Sequence, residues 1–327
     1  MSSLIAWILR AIPLGTIIMY GALGETLTEK SGNLNLGVPG IMYLGGFAGF
    51  ASAYYYEKLS ANPSAFVCVI LALLCALIAA ALGGLVYAFL TITLRANQNV
   101  TGLAMTTFGV GVGNFFGGSL IKLTGSEVPS IALSNTSLFF KVGLPGGNAG
   151  WFGQLFLSYG FLAYVAIIIA LGASYFLNHT RPGLHLRAVG ESASTADAAG
   201  INVTKYKYLA TCIGAGISGL GGTYYVMNYI KGTWENQGTI EALGWLAVAL
   251  VIFATWKSLR AIWGSYLFGV LYWAYNYIPG LSRSTLELFK MLPYVVTILV
   301  LLMVSMRKKK EDQPPQSLGI PYFREER

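Results

Sequence analysis

The sequence predicts an all-α, polytopic helical membrane protein with about nine transmembrane helices. Three observations carry this. Charged residues make up 10% of the 327 positions, well under the share of about 25% usual in soluble domains. Apolar and aromatic residues make up 55%, and mean hydropathy is +0.61. The apolar residues also gather into runs long enough to span a bilayer, which takes about 20 residues as a helix. A soluble fold of this length has no room to bury so much apolar surface. A soluble enzyme, a disulfide-stapled secreted domain and a disordered chain are therefore excluded.

The runs fall at 4–23, 36–56, 65–93, 100–121, 151–177, 206–229, 239–256, 259–278 and 290–306. Each is expected to be a helix, because lipid offers no partner to free backbone groups. Stretches such as Phe66 to Leu82 lack the alternation of a barrel strand. The first run contains Arg10 and Pro13 but no small-residue cleavage site, so it is read as a retained helix. Between the first two runs, Ser31–Gly40 reads SGNLNLGVPG, a helix-breaking mixture of glycine, asparagine and proline. Broken backbone is tolerated in a membrane only inside protein or beside a cavity. This segment is expected beside the translocation path or as a plain loop at the inner surface, and 24–40 is a candidate re-entrant segment. Two connections are long: 122–150, rich in Gly, Ser, Asn and Pro, and 178–205.

Basic residues orient the chain. With the C-terminus inside, the inner side receives 14 Lys and Arg and the outer side 7, which satisfies the positive-inside bias. Residues 1–306 then form one transmembrane domain, with 178–205 cytoplasmic, 122–150 extracellular and 307–327 a basic cytoplasmic tail. Most of the net charge of +8 is topological, and Arg307–Lys310 suits an anchor on anionic lipid. No nucleic-acid partner is expected.

Chemistry is sparse. Cys68, Cys75 and Cys212 sit in apolar runs, and His179 and His185 lie in the inner connection, so no metal is expected. GAGISG at 214–219 formally matches a dinucleotide fingerprint, but it falls mid-helix without a preceding strand. No phosphate-binding P-loop pattern occurs, and no cofactor is expected on this chain. The small residues Gly45 and Gly49, Gly109, Gly113 and Gly117, Gly214, Ser218 and Gly222, and Ser265 and Gly269 lie four apart on helix faces. They suit either close helix packing or faces that slide during transport.

Ionisable residues, Arg10 aside, cluster near predicted helix ends. That disfavours an ion-coupled carrier and a charged-ring channel. A path lined by small, amide and hydroxyl groups suits a neutral polar solute. Candidates are Asn33, Asn35, Gly37, Gly40, Thr106 and Asn114, with Thr101, Thr107 and Asn228; a helix-to-helix hydrogen bond is the alternative role of the polar ones. In the inner connection, residues 190–200 read as a short helix. Ser192 can cap it, alanines form its body and Gly200 suits its end. Its alanines offer a low-relief face, and Arg187, Glu191 and Asp197 offer charges to a cytoplasmic partner; a surface linker is the alternative.

Residues 187–210, RAVGESASTADAAGINVTKYKYLA, resemble the cytoplasmic coupling segment of bacterial ABC importer permeases of the branched-chain amino acid and simple-sugar class. Residues 21–49, GALGETLTEKSGNLNLGVPGIMYLGGFAG, resemble the N-terminal signature of that class and, more narrowly, of its purine-nucleoside permeases. GWLAVALVIFATW at 244–256 and SLGIPYFREER at 317–327 are similar to the same subgroup. The resemblance implies a transport subunit rather than an enzyme. It implies an ABC ATPase subunit inside that holds ATP and Mg, a second permease subunit, a substrate-binding lipoprotein outside and a location in the bacterial plasma membrane. The cargo it implies is a nucleoside, with a simple sugar such as ribose as the alternative; an ATP-independent carrier or channel is a different class of reading. Arg187, Gly190, Glu191, Ala193, Ala196, Asp197 and Gly200 take the ATPase-coupling role by this resemblance. One position departs from it: Pro39 stands where the family often has an acid after Gly-Val.

Overall fold

The computed structural model describes residues 3–123, 130–145, 147, 150–235, 238–278, 283–307 and 312–324. It is a helical bundle, and each apolar run corresponds to helix. α1 spans Ser3–Glu29, α2 Val38–Leu59, α3 Ala65–Ala88 with a wider π turn at Phe89–Thr93, and α4 Gln98–Leu123. After strand β1 (Ser130–Ala132) come α5 (Ser134–Lys141), α6 (Gly150–Phe156), α7 (Phe161–His179), α8 (Arg181–Glu191) and α9 (Ala193–Ala198). α10 covers Val203–Tyr224 and runs into a second π turn, Tyr225–Tyr229. Strand β2 (Thr233–Glu235) precedes α11 (Thr239–Phe253), α12 (Ser258–Trp273), α13 (Arg283–Lys290) and α14 (Leu292–Arg307).

Among the described residues, three helical stretches are both long and apolar enough to cross a membrane on their own: Ile5–Glu29, Ala65–Thr93 and Phe161–His179. α3 shows why. Phe66, Ile70, Leu74, Ile78 and Leu82 recur every four residues and are all exposed, a stripe with no polar atom that belongs against lipid. The opposite face of α3 packs on α10, which also meets α1 and α2.

The helices approach closely because small residues meet at the crossings. A Cβ on Gly24 would lie 2.1 Å from the Gly214 carbonyl oxygen, and one on Gly45 would lie 2.4 Å from the Gly219 Cα. No side chain fits there, so the small-residue faces are packing surfaces in this conformation.

The two ends differ. At one, β1 and β2 form a short antiparallel ribbon pairing Ile131 with Trp234. Trp234 is buried beneath Tyr43, Phe47 and Phe50. Glu57 Oε1 accepts bonds of 2.7 Å from both the Thr136 N–H and its hydroxyl, fixing α5. At the other end lie the 30–37 turn, the α8–α9 segment, the α11–α12 link and residues 312–324.

Several expectations change. Residues 24–40 form a helix, a turn and a helix, because α1 continues to Glu29. Within it the Thr26 and Thr28 hydroxyls bond back to the Ala22 and Gly24 carbonyls at 2.7 and 3.2 Å, so these polar groups are satisfied inside the helix. The run 151–177 is broken at 157–160, where Gly160 adopts an extended conformation and starts α7. The single helix expected at 190–200 is two: α8 carries Gly190 and Glu191, and Ser192 is an extended joint before α9.

Candidate functional site

The site is built on the turn after α1. Its polar backbone is satisfied from several helices. Glu25 Oε1 accepts from the Asn35 N–H at 3.0 Å, and Asn35 Oδ1 accepts from the Gly37 N–H at 2.9 Å. Gln98 Oε1 accepts from the Leu34 N–H at 2.7 Å, and the Tyr87 hydroxyl donates to the Leu34 carbonyl. Thr106 donates to the Leu36 carbonyl at 2.9 Å, and Asn33 donates to Thr211 at 3.4 Å. The Trp256 indole N–H donates to Glu29. Buried backbone groups need such partners. The turn is therefore an internal knot that ties α1 to α2, α3, α4, α10 and the α11–α12 link.

That link is strained. Thr255 and Trp256 have φ of 51° and 55°, a left-handed conformation that costs a non-glycine residue roughly 1–3 kcal/mol. Contacts hold it in place: Trp256 is bonded to Glu29, and Arg260 bonds Thr255 Oγ1.

The α8–α9 unit rests on this knot. Thr180 caps α8 through the Gly183 N–H at 3.2 Å, with Pro182 in the first turn. Ser192 caps α9 through the Thr195 N–H at 3.3 Å. Gly200, at φ +82°, closes α9 with bonds from Gly200 N–H to the Asp197 carbonyl and from Ile201 N–H to the Ala196 carbonyl. This is the double-bonded glycine stop expected of that residue. Ala193 and Ala196 face inward and pack with Val189 and Val203, so the low-relief alanine face seats α9 on its own bundle. The exposed residues of α9 are Ser194, Thr195 and Ala198.

Residues 312–324 strap the unit down. The Ser317 N–H donates to the Gly190 carbonyl at 3.0 Å, and the Gly319 N–H to the Gly32 carbonyl at 3.2 Å. Asp197 accepts from the Tyr322 hydroxyl at 2.8 Å and pairs with Arg324 at 3.2 Å. Asp312 pairs with Lys257 at 2.7 Å and Arg260 at 2.9 Å. The bond from Lys257, reinforced by the charge of Arg260, holds the Asp312 carboxyl below its usual range. Lys30 is pushed down to about 8, chiefly by burial and then by the positive charge of Arg187. Lys30, Arg187, Lys257 and Arg260 together line a cavity of about 460 Å³ beside α8.

The family profile for "Branched-chain amino acid transport system / permease component" matches residues 7–301. The chain belongs to this family. It is 30% identical over 321 residues to the guanosine ABC transporter permease protein NupQ of Bacillus subtilis, covering 95% of this permease and 94% of that protein. It is 30% identical over 290 residues to the nucleoside ABC transporter permease protein NupC of Lactococcus lactis, with 88% of each covered. A protein of Haloferax volcanii provisionally named as a glucose ABC transporter permease, TsgC13, is 32% identical over 256 residues, 78% of this permease and 72% of that protein.

The residues proposed for a solute path divide. Asn33, Asn35, Gly37, Gly40 and Thr106 sit in the permease's interior, where each makes the helix-to-helix contacts described above or touches α4. A Cβ on Gly40 would lie 2.3 Å from the Met105 carbonyl oxygen. Thr101 is buried as well. Asn114 is half-buried and accepts from the Tyr43 hydroxyl at 2.5 Å. Asn228 donates to the Phe140 carbonyl at 2.9 Å and anchors α5. Thr107 alone of these is exposed, on the open face of α4. Of the residues given an ATPase-coupling role by resemblance, Gly190, Ala193 and Ala196 are buried, Asp197 on α9 is held by Tyr322 and Arg324 of the strap, Arg187 bonds Asn178 at 3.2 Å, and Glu191 and Gly200 are exposed. Sequence reasoning missed the partnership of Glu25, Glu29 and Trp256 and the strap. Lys308–Lys310 of the basic cluster lie outside the described residues.

Proposed function

We propose that this permease is the membrane subunit of an ABC importer for purine nucleosides in a bacterial plasma membrane, with the α8–α9 end in the cytoplasm. The observation that carries the coupling is the seat of α9. It is capped at both ends, strapped from behind and joined to the end of α8, whose Gly190 abuts the turn after α1, so a push on its exposed Ser194–Thr195 surface has a packed route through α8 to that turn and directly to α10. A separate ATPase subunit holding ATP and Mg supplies that push, and the cation-lined cavity beside α8 suits an acidic surface on it. A ligand or partner shifts such an equilibrium only by contacting its two states differently.

The open face of α4 supports the cargo. Thr107 and Gly111 lie on it beside exposed Phe108 and Phe115, without a charged group between them. Hydroxyl and aromatic groups together suit a ribose and a base. A second permease subunit facing this side completes the path, and a substrate-binding lipoprotein delivers solute at the ribbon end. A simple sugar is the second reading, favoured by the similarity to TsgC13. Uptake of labelled guanosine in cells with and without this chain, challenged with unlabelled ribose, separates them. Chain-dependent guanosine uptake that ribose does not compete supports the nucleoside, and ribose competition supports the sugar. ATP-independent uptake by the chain alone would overturn both.

A further inference from the structure

Between α9, the N-terminus of α10, the link 91–98 and the strap lies a cavity of about 790 Å³. Its lining is cationic: Arg95, Lys205, Lys207 and Arg324 stand against one acid, Asp197, which the strap already occupies through Tyr322 and Arg324. Lys207 is 3% exposed, and no acidic side chain pairs with its ammonium among the described residues. Gln98, also 3% exposed, spends its carbonyl oxygen on the Leu34 N–H, while its Nε2 is buried without an acceptor. Both line the cavity. Buried cations and amide donors are normally paired, so two unmatched donors on one cavity call for an acceptor that carries negative charge.

The backbone agrees. Residues 202–204, the N-terminal turn of the 22-residue helix α10, form one wall, and the positive end of a helix dipole favours an anion. Asn202 caps that helix through the Lys205 N–H at 3.0 Å, so the turn is held in register beside Lys207.

We propose that this cavity is a phosphate-oxyanion site, in which Lys207 supplies the buried charge, Gln98 a neutral donor, and Arg95 and Lys205 an exposed cationic rim. The oxyanion comes from free phosphate or from the headgroup of an anionic phospholipid. Both have the same chemistry at this site.

The test uses the purified full chain. Thermal unfolding is followed in neutral detergent with inorganic phosphate against chloride at matched ionic strength. It is then followed in nanodiscs of phosphatidylcholine with and without phosphatidylglycerol, and native mass spectrometry reads retained lipid. Stabilisation by phosphate in detergent identifies the free ion. Stabilisation and a retained phosphatidylglycerol only in the anionic nanodiscs identify the headgroup. In either case Lys207→Met weakens binding by about tenfold or more, the loss of one charge-assisted bond, and Gln98→Leu weakens it less. If Lys207→Met does not fold, the rim variant Arg95→Ala with Lys205→Ala still weakens binding several-fold. The proposal is overturned if neither phosphate nor phosphatidylglycerol stabilises the chain. It is equally overturned if stabilisation is the same in the variants.

Discussion

Replacing Gly190 with alanine tests the seat of the α8–α9 unit with one methyl group. A Cβ there would lie 2.2 Å from the Lys30 carbonyl oxygen, 3.0 Å from its carbon and 3.3 Å from the Gly32 nitrogen. All three are backbone atoms of the knot and cannot swing aside. Reaching ordinary contact, about 3.5 Å, requires the end of α8 to retreat by about 1 Å. That retreat strains the 3.0 Å bond from the Ser317 N–H to the Gly190 carbonyl and the 3.2 Å bond from the Gly319 N–H to the Gly32 carbonyl, each worth about 1 kcal/mol net. Overpacking adds about 1–3 kcal/mol, and alanine's better helix propensity returns up to about 1 kcal/mol. The net local loss is about 2–5 kcal/mol. It is confined to the α8–α9 unit and the strap, because the membrane helices are untouched. The assay measures ATP hydrolysis and solute uptake together in proteoliposomes holding the complete importer. Hydrogen exchange over 186–200 and 315–320 reports the displacement. Exchange in both segments should rise, hydrolysis should persist, and transport per ATP should fall by about tenfold, the rate equivalent of about 1.4 kcal/mol. Gly172→Ala, whose Cβ meets nothing within 4 Å, should leave the ratio unchanged. A normal ratio in Gly190→Ala with exchange clearly raised would refute force transmission through this contact.

Other perturbations have defined outcomes. Ser192→Ala removes the cap of α9 and should cost about 1 kcal/mol, seen as faster exchange at 193–198 with α10 unaffected. Gly40→Val drives a side chain into the Met105 carbonyl and should lower the unfolding midpoint of the whole bundle, while Gly111→Ala, with open space around it, should not. The Asp312 carboxyl is held below its ordinary value in the folded chain, so its contribution is complete at neutral pH and is lost as pH falls through the folded value. Proteolysis of the strap should therefore stay slow until pH drops below about 4, whereas Lys257→Met with Arg260→Met should expose the strap already at pH 7.

The bundle was legible because lipid imposes a simple rule: apolar length marks a helix, and each run duly contains one. Boundaries failed where protein replaced lipid. α1 outran its predicted end at 23 because Glu25, Thr26 and Glu29 are buried by neighbouring helices, a tertiary effect that hydropathy cannot register. α8 was hidden in a connection too polar to span, although Thr180 followed by Arg181 and Pro182 is a helix-start signal. α9's caps were readable from Ser192 and Gly200, since capping is local chemistry. Its orientation was not, since alanine suits an inward face and a docking face equally well. The asparagines of 31–37 mark a broken backbone that needs partners, and that much is legible in the sequence. Whether those partners were solute or protein depended on Gln98, Thr106 and Thr211, brought in from far along the chain. The strap was legible only as a tail resembling the subgroup at 317–327, because its bonds to Gly32, Gly190 and Asp197 exist only after folding.

In the proposed mechanism the exposed face of α9 carries force from an ATPase in the cytoplasm. A cysteine placed at Ser194, after Cys68, Cys75 and Cys212 are replaced by serine or alanine, tests it directly. A membrane-impermeant maleimide should label it in inside-out vesicles but not in intact cells, and the labelling should be lost when the ATPase subunit is bound. Labelling from outside intact cells, or labelling indifferent to the ATPase, would contradict it.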